Sequence, residues 1–237
     1  MQLFYNPDIN SSITEFIFNK EEGRHIVRVL RKKEGDLLYI TNGKGFLFKV
    51  QIIHANDKKC LVKIISFEEK EKNWNYHLHI AIAPTKINDR FEWFLEKATE
   101  IGIDEITPII CDNSERKVLK SERMQKVLIS AMKQSLKFNL PKLNEPTKFS
   151  NIISSNFNGI KFIAHCEDPN QKNTLKNLIK ANQNILVLIG PEGDFSTKEI
   201  SFALQHQFIP LSLGSSRLRT ETAGIVACSS ISVINEK

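Results

Sequence analysis

Two unlike parts are predicted, a small β-barrel over residues 1–73 and an α/β domain with a parallel sheet over 74–237. Three observations predict this. Short strand-like runs separated by turn signals dominate the first part. A charged run with no apolar period, Glu68-Glu69-Lys70-Glu71-Lys72-Asn73, reads as a linker. Beyond it strand patterns alternate with helical ones, the pattern of a parallel sheet covered on both faces.

In the first part a short helix is predicted over 24–30, with Ile26, Val29 and Leu30 on its apolar side. Arg24, Arg28 and Arg31 fall on another side at i, i+4, i+7. Strands follow at Leu37–Thr41, 46–53 and 60–67, divided by the turn signals Asn42-Gly43-Lys44-Gly45 and Asn56-Asp57-Lys58-Lys59. A small barrel with a basic helix suits RNA, but many barrels with no RNA role look the same. In the second part, strands are predicted at 77–83, 105–111, 161–165, 184–189 and 208–213. A helix over 89–101 places Phe91, Phe94, Leu95, Ala98 and Ile101 on one face. A longer helix spans 121–138, and Ser196-Thr197-Lys198-Glu199 is a capping box that opens another.

Composition excludes several classes. The 41% hydrophobic and 25% charged shares are ordinary for a globular protein. No apolar run approaches spanning length, and Ile185–Ile189 is stopped by Gly190, so no membrane association is expected. The N-terminal residues lack a charged start followed by an apolar stretch, so no signal peptide and a cytoplasmic location are expected. Cys60, Cys111, Cys166 and Cys228 are scattered, which predicts reduced thiols rather than a disulfide framework. His77 and His79 share a strand face but have no second ligand pair near them, so no metal site is expected. The net charge of +6 is unevenly spread. Residues 114–148 hold nine basic and three acidic side chains, a local surplus as large as that of the whole chain. This is the footprint expected for a phosphate backbone, and equally that of a solvated lysine-rich helix.

Ligands of parallel sheets sit beyond the carboxyl ends of the strands. Two loops there stand out. In Ile189-Gly190-Pro191-Glu192-Gly193-Asp194-Phe195-Ser196, two glycines around a proline fix a sharp turn and allow close backbone approach to a ligand. No Gly-Lys-Ser/Thr or GxGxxG accompanies it, which excludes a P-loop and disfavours a dinucleotide. In Leu213-Gly214-Ser215-Ser216-Arg217-Leu218-Arg219-Thr220-Glu221-Thr222-Ala223, two arginines precede a helix start. Taken alone, each loop is either one side of a small-ligand pocket or an ordinary connection.

Together the two loops resemble the S-adenosylmethionine site of the knotted SPOUT methyltransferases. The nearer resemblance is to the family that methylates N3 of a uridine in small-subunit ribosomal RNA. Further matching pieces are His25-Ile26-Val27-Arg28-Val29-Leu30-Arg31 with Gly35-Asp36, Glu96-Lys97-Ala98-Thr99-Glu100-Ile101-Gly102, and Gln134-Ser135 with Pro141. The resemblance implies a PUA-like barrel followed by a SPOUT domain with a deep trefoil knot, S-adenosylmethionine as cofactor, and a homodimer. It also implies small-subunit ribosomal RNA or the assembled subunit as partner. It assigns Ile189, Gly190, Pro191, Glu192, Gly193, Leu213, Gly214, Leu218, Thr220 and Ala223 to the donor, and leaves Arg219, Arg217 and Glu221 as the candidates for catalysis on chemical grounds. Arg24, Arg28, Arg31, Arg116, Lys117, Lys120, Lys133 and Lys137 are the expected RNA contacts. The chain departs from the family pattern at Asn113, Lys133, Lys137, Asp194, Ser216 and Arg217; a glycine often stands where it has Asp194.

Methylation at N3 needs an anionic uracil, so an arginine near a carbonyl oxygen of the base is expected to stabilise the developing charge. Arg219 is the first choice and Arg217 the second; Glu221 would act as base, orient an arginine or cap the helix. N3 lies on the pairing edge, so the target must be unpaired or flipped out. The competing readings are a methyltransferase acting on another RNA or position, and an RNA-binding protein without catalysis.

Overall fold

The computed structural model describes residues 1–72, 74–166 and 173–236. The chain divides into two compact units, Met1–Asn73 with Met132–Leu140, and Trp74–Ala131 with Pro141–Lys237.

The first unit is a half-barrel of five strands, β1 (Leu3–Tyr5), β2 (Glu15–Ile17), β3 (Leu37–Thr41), β4 (Phe46–His54) and β5 (Leu61–Glu69), in the order β1-β3-β4-β5-β2. Only β1 and β3 run parallel. Register shifts at Lys49/Val50 and Ile52/His54 bend β4 against β5 and curl the sheet over a core of Phe4, Ile26, Ile40, Phe48, Val50 and Val62. Two expectations are corrected here. Glu68 and Glu69 belong to β5 and pair with Leu47 and Phe46 while their side chains stay in solvent, so charge there does not mean linker. The basic helix begins earlier than its apolar period indicates. It is α1 (Lys20–Arg24), started by Asn19, whose Oδ1 accepts the Glu22 N–H at 2.9 Å, and extended by a π-helical turn, His25–Val29.

Met132–Leu140 completes this unit through backbone bonds. Gly45 N–H donates to Phe138 O at 2.9 Å and Leu140 N–H donates to Gly43 O at 2.8 Å. The helix expected over 121–138 is α3 (Ser121–Gln134). It stops because Leu136 turns left-handed (φ 53°), while Leu136 N–H reaches Lys133 O and Lys137 N–H reaches Met132 O. That paired closure is a Schellman motif with leucine where glycine is usual.

The second unit carries β6 (Leu78–Ile82), α2 (Asn88–Ile101), β7 (Glu105–Ile110), β8 (Lys142–Leu143), β9 (Thr147–Lys148), α4 (Phe149–Ile153) and β10 (Ile160–Ala164). It continues with β11 (Asn173–Thr174), α5 (Leu175–Leu178), β12 (Ile185–Ile189), α6 (Thr197–Gln205), β13 (Ile209–Ser212) and α7 (Thr220–Asn235). The sheet order is β11-β13-β10-β12-β6-β7-β8, with β9 also on β7, and every pair is parallel. Both central strands, Leu-His-Ile-Ala-Ile and Ile-Leu-Val-Leu-Ile, are buried at every position, as helices on both faces require. On α2 the buried face is Phe91, Phe94, Leu95, Ala98 and Thr99. Thr99 rather than Ile101 closes it, because its hydroxyl is satisfied by Leu95 O at 2.7 Å. Gly224 lets α7 lie on α2 and β6; a Cβ there would stand 2.6 Å from the Phe94 ring and 3.1 Å from Ile82.

Candidate active site

β13, β10 and β12 are neighbours, so the loops that leave their carboxyl ends converge. Between them lies a cavity of about 800 Å³, within the range of small-molecule sites.

The loop after β12 is a turn that closes on itself. Asp194 N–H donates to Pro191 O at 2.9 Å, and a Cβ on Gly190 would lie 3.1 Å from the Phe195 ring. Asp194 occupies the left-handed region at φ 63°, which aspartate tolerates when its side chain bonds locally. Its Oδ1 accepts the Phe195 N–H at 2.8 Å and its Oδ2 the Cys166 N–H at 2.7 Å, which ties this turn to the end of β10. Glu192 ties it to the loop after β6 by accepting the Lys86 N–H at 2.9 Å, while its other oxygen is buried with no hydrogen-bond partner among the described residues. Ser196 and Glu199 form the expected capping box at the start of α6.

The loop after β13 is more open. Gly214, at φ 131°, has nothing within 4 Å of a would-be Cβ, and 214–217 are exposed. It is anchored where α7 begins: the buried Thr220 hydroxyl donates to Gly190 O at 3.0 Å. Arg219 is the N-cap residue of α7 in backbone position, with its carbonyl accepting the Ala223 N–H at 2.8 Å and its side chain left out of the cap. Among the described residues Arg219 and Arg217 form no ion pair, and both line the cavity. Glu221 turns inward. It is buried, its Oε1 lies 3.8 Å from Arg90 Nε on α2, and its Oε2 has no hydrogen-bond partner among the described residues.

Of the expected donor residues, Ile189, Gly190, Pro191, Glu192, Leu213, Gly214, Leu218, Thr220 and Ala223 line this one cavity. Gly193 does not. A Cβ there would lie 3.3 Å from Asn113 Cβ, and its carbonyl accepts a bond from Asn113 Nδ2 at 3.2 Å. Sequence reasoning passed over Arg90, Asp194, and Ala164 to Cys166 after β10. The rule that singled out the other two loops applies equally to the end of the predicted strand at 161–165, and was the available signal.

The expected RNA contacts are divided. Arg24, Arg28, Arg31, Lys133 and Lys137 belong to the first unit, Arg116, Lys117 and Lys120 to the second. Arg28 pairs with Asp57 at 2.5 Å and Lys133 with Glu22 at 3.1 Å. Arg116 is spent on backbone: its Nε and Nη2 donate to Thr85 O and Lys86 O at 2.7–3.2 Å. Lys137 is half-buried, and burial lowers its pKa. Arg24, Arg31, Lys117 and Lys120 are exposed.

A family model for an RNA methyltransferase domain matches residues 72–232, and one for an RNA methyltransferase PUA domain matches 18–65. This chain belongs to that RNA methyltransferase family. Ribosomal RNA small subunit methyltransferase E of Buchnera aphidicola (strain APS) is 32% identical, over 97% of this chain and 92% of its own length. The protein of that name from Bacillus subtilis is 25% identical, over 93% and 91%. Among solved structures, the "probable rRNA-methyltransferase" of Porphyromonas gingivalis is 41% identical with a TM-score of 0.93, covering 99% of this chain and 98% of that one. A Legionella pneumophila structure in complex with bound cofactor SAM is 29% identical with a TM-score of 0.88, covering 98% and 97%. The family matches the resemblance carried by the two glycine-containing loops, and the PUA-like and parallel-sheet parts both stand in this methyltransferase as expected.

Proposed function

We propose that this methyltransferase transfers a methyl group from S-adenosylmethionine to N3 of a uridine in small-subunit ribosomal RNA, in the cytoplasm and as a homodimer. The observation that carries the reading is the cavity where the turn at 190–194, the loop at 213–219 and the first turn of α7 meet. Its residues fit the donor. Ile189, Leu211, Leu213, Leu218 and Ala223 offer an apolar bed for the adenine, and the carboxylate of Glu192, one oxygen of which has no hydrogen-bond partner among the described residues, favours a cationic ligand. When bound, the donor supplies an electrophilic methyl group carried on a sulfonium. The arginines supply the complementary chemistry: Arg219 holds a uracil oxygen as negative charge develops on the ring, and Glu221, buried behind the lining, orients Arg90, which lines the cavity. Relatives that carry the small-subunit methyltransferase name over almost their whole length support the RNA class.

The homodimer reading rests on α7, which is apolar around much of its circumference and leaves Val233 61% exposed, and on α2, which leaves Trp93 41% exposed. The trefoil knot is part of the same reading. It is supported by a chain that returns from β13, beyond β10, to lay α7 against β6 and β12.

Calorimetry should show S-adenosylmethionine binding to pure protein without added metal. Ala223→Phe fills the cavity from α7 and should abolish the heat while circular dichroism stays unchanged; full binding by that folded variant would move the donor elsewhere. Mass spectrometry of small-subunit RNA from a deletion strain, with and without the restored gene, should reveal one N3-methyluridine that depends on this chain.

A further inference from the structure

A second concavity, of about 440 Å³, lies beside the first on the other side of segment 190–199. Gly190, Pro191, Glu192 and Asp194 face the donor cavity, whereas Lys198 and Glu199 face this one. Its floor is apolar, made by Ile110, Cys111, Phe149 and Phe202. Its rim carries three exposed lysines from separate places in the chain: Lys117 before α3, Lys148 at the end of β9, and Lys198 in the first turn of α6. Among the described residues none of the three forms an ion pair.

Two carboxylates also reach this concavity, but both are occupied by the protein itself. Glu199 accepts the Ser196 N–H at 2.9 Å through one oxygen and the Asp112 N–H at 3.0 Å through the other. Asp112 Oδ2 accepts the Ser196 hydroxyl at 2.6 Å. These bonds hold both acids against the turn without removing their charge, so the lining carries three cations against two anions, and none of the lysines is paired with either acid. An apolar, partly aromatic floor beneath a rim on which exposed lysines outnumber the acids is the combination that holds a nucleotide of single-stranded nucleic acid, with the base on the floor and phosphates at the lysines.

We infer that this groove, built by Lys117, Lys148 and Lys198 over Phe149 and Phe202, binds a nucleotide of the RNA strand outside the donor cavity. It lies wholly within the second unit, and none of its three lysines has a part in the donor cavity. The inference rests on the reading of the chain as an RNA-modifying enzyme only for the identity of the polymer.

The test is fluorescence anisotropy with a 5′-labelled, unstructured 12-nucleotide RNA, over a salt series, on the full chain. Lys148→Glu/Lys198→Glu should weaken binding at least about 10-fold near 0.1 M salt and reduce the slope of log affinity against log salt by about 1.4, two phosphate contacts at ~0.7 each for a single strand. Phe202→Leu keeps apolar volume but removes the ring. It should weaken binding about 5-fold, the loss of one stacked base, with the salt slope unchanged. Calorimetric S-adenosylmethionine affinity should be the same in all three proteins. Donor binding that fails in the unsubstituted protein would sink the proposed function and leave the groove to be judged on RNA alone. An unchanged affinity and slope in the double variant would overturn the groove. So would a charge effect with no Phe202→Leu effect, since that describes a patch attracting any polyanion.

Discussion

Arg219 shows how a loop residue is prepared for chemistry. Its backbone caps α7 and its carbonyl is tied to Ala223, so the Cα is fixed while the guanidinium stays uncommitted at the cavity wall. Arg219→Ala should lower single-turnover methylation by ~10²–10³, the usual cost of losing one charge-stabilising donor, and leave donor affinity within a few-fold. Arg219→Lys should recover only part, because an ammonium lacks the planar fork. Near-normal turnover of the alanine variant would pass the role to Arg217 or to the pair made by Arg90 and Glu221. That pair has its own test. If Glu221 acts only by orienting Arg90, then Glu221→Gln, Arg90→Gln and the double variant should lose the same turnover, since residues acting as one unit are not additive. The arginines of the loop after β13 were legible because a helix start and a strand end bracket them. Arg90 was not, because on the pattern of α2 it is one more polar residue beside an apolar face.

At the level of elements, the signals that survived were those with a local cause. The capping box at Ser196 to Glu199 was readable from four residues because both bonds are made within them. Here it also secures Asp112, so Ser196→Ala should cost ~1 kcal/mol or somewhat more. That corresponds to about 2–4 °C in melting temperature for a chain of this size, and a scan within 0.5 °C of the parent would show the box to be ornamental. The long strands and α2 were equally plain from their periods. Three-residue strands such as β1 and β2 carry too few positions for alternation to register, and they exist because β3 and β5 offer open edges. The end of α3 was hidden for a related reason: leucine does not announce a left-handed residue, and only the chain's destination beyond Leu136 explains it.

For the molecule as a whole, one buried polar strip sets the dependence of stability on pH. His79 is 6% exposed, its Nε2 lies 2.7 Å from Thr107 Oγ1, and burial lowers its pKa from 6.5 to about 4. Between pH 6.5 and 4 the unfolded chain therefore takes up a proton that the folded one refuses. Stability present above pH 6.5 should fall by up to ~3 kcal/mol as the pH drops to 4. Glu105, held well below the usual carboxylate range first of all by its bond from His77, adds a further loss below about pH 4.5. Urea midpoints at pH 7.5, 5.5 and 4.5 should decline in that order, and His79→Gln should flatten the upper half of the decline. A parent midpoint constant from pH 7.5 to 5.5 would show that His79 is protonated in the fold.

Met132–Leu140 also fixes an order of events during synthesis. Translation delivers all five strands of the half-barrel by Glu69, yet Gly43 and Gly45 still wait for backbone partners at Leu140 and Phe138. A ribosome must make Trp74–Ala131, fifty-eight residues of the other unit, before those partners exist. The nascent half-barrel thus emerges with an unfinished edge. A chain released early, at Asn73, is a fragment missing part of its own sheet's support, so the natural place to divide this gene for expression does not lie at the boundary where its composition changes.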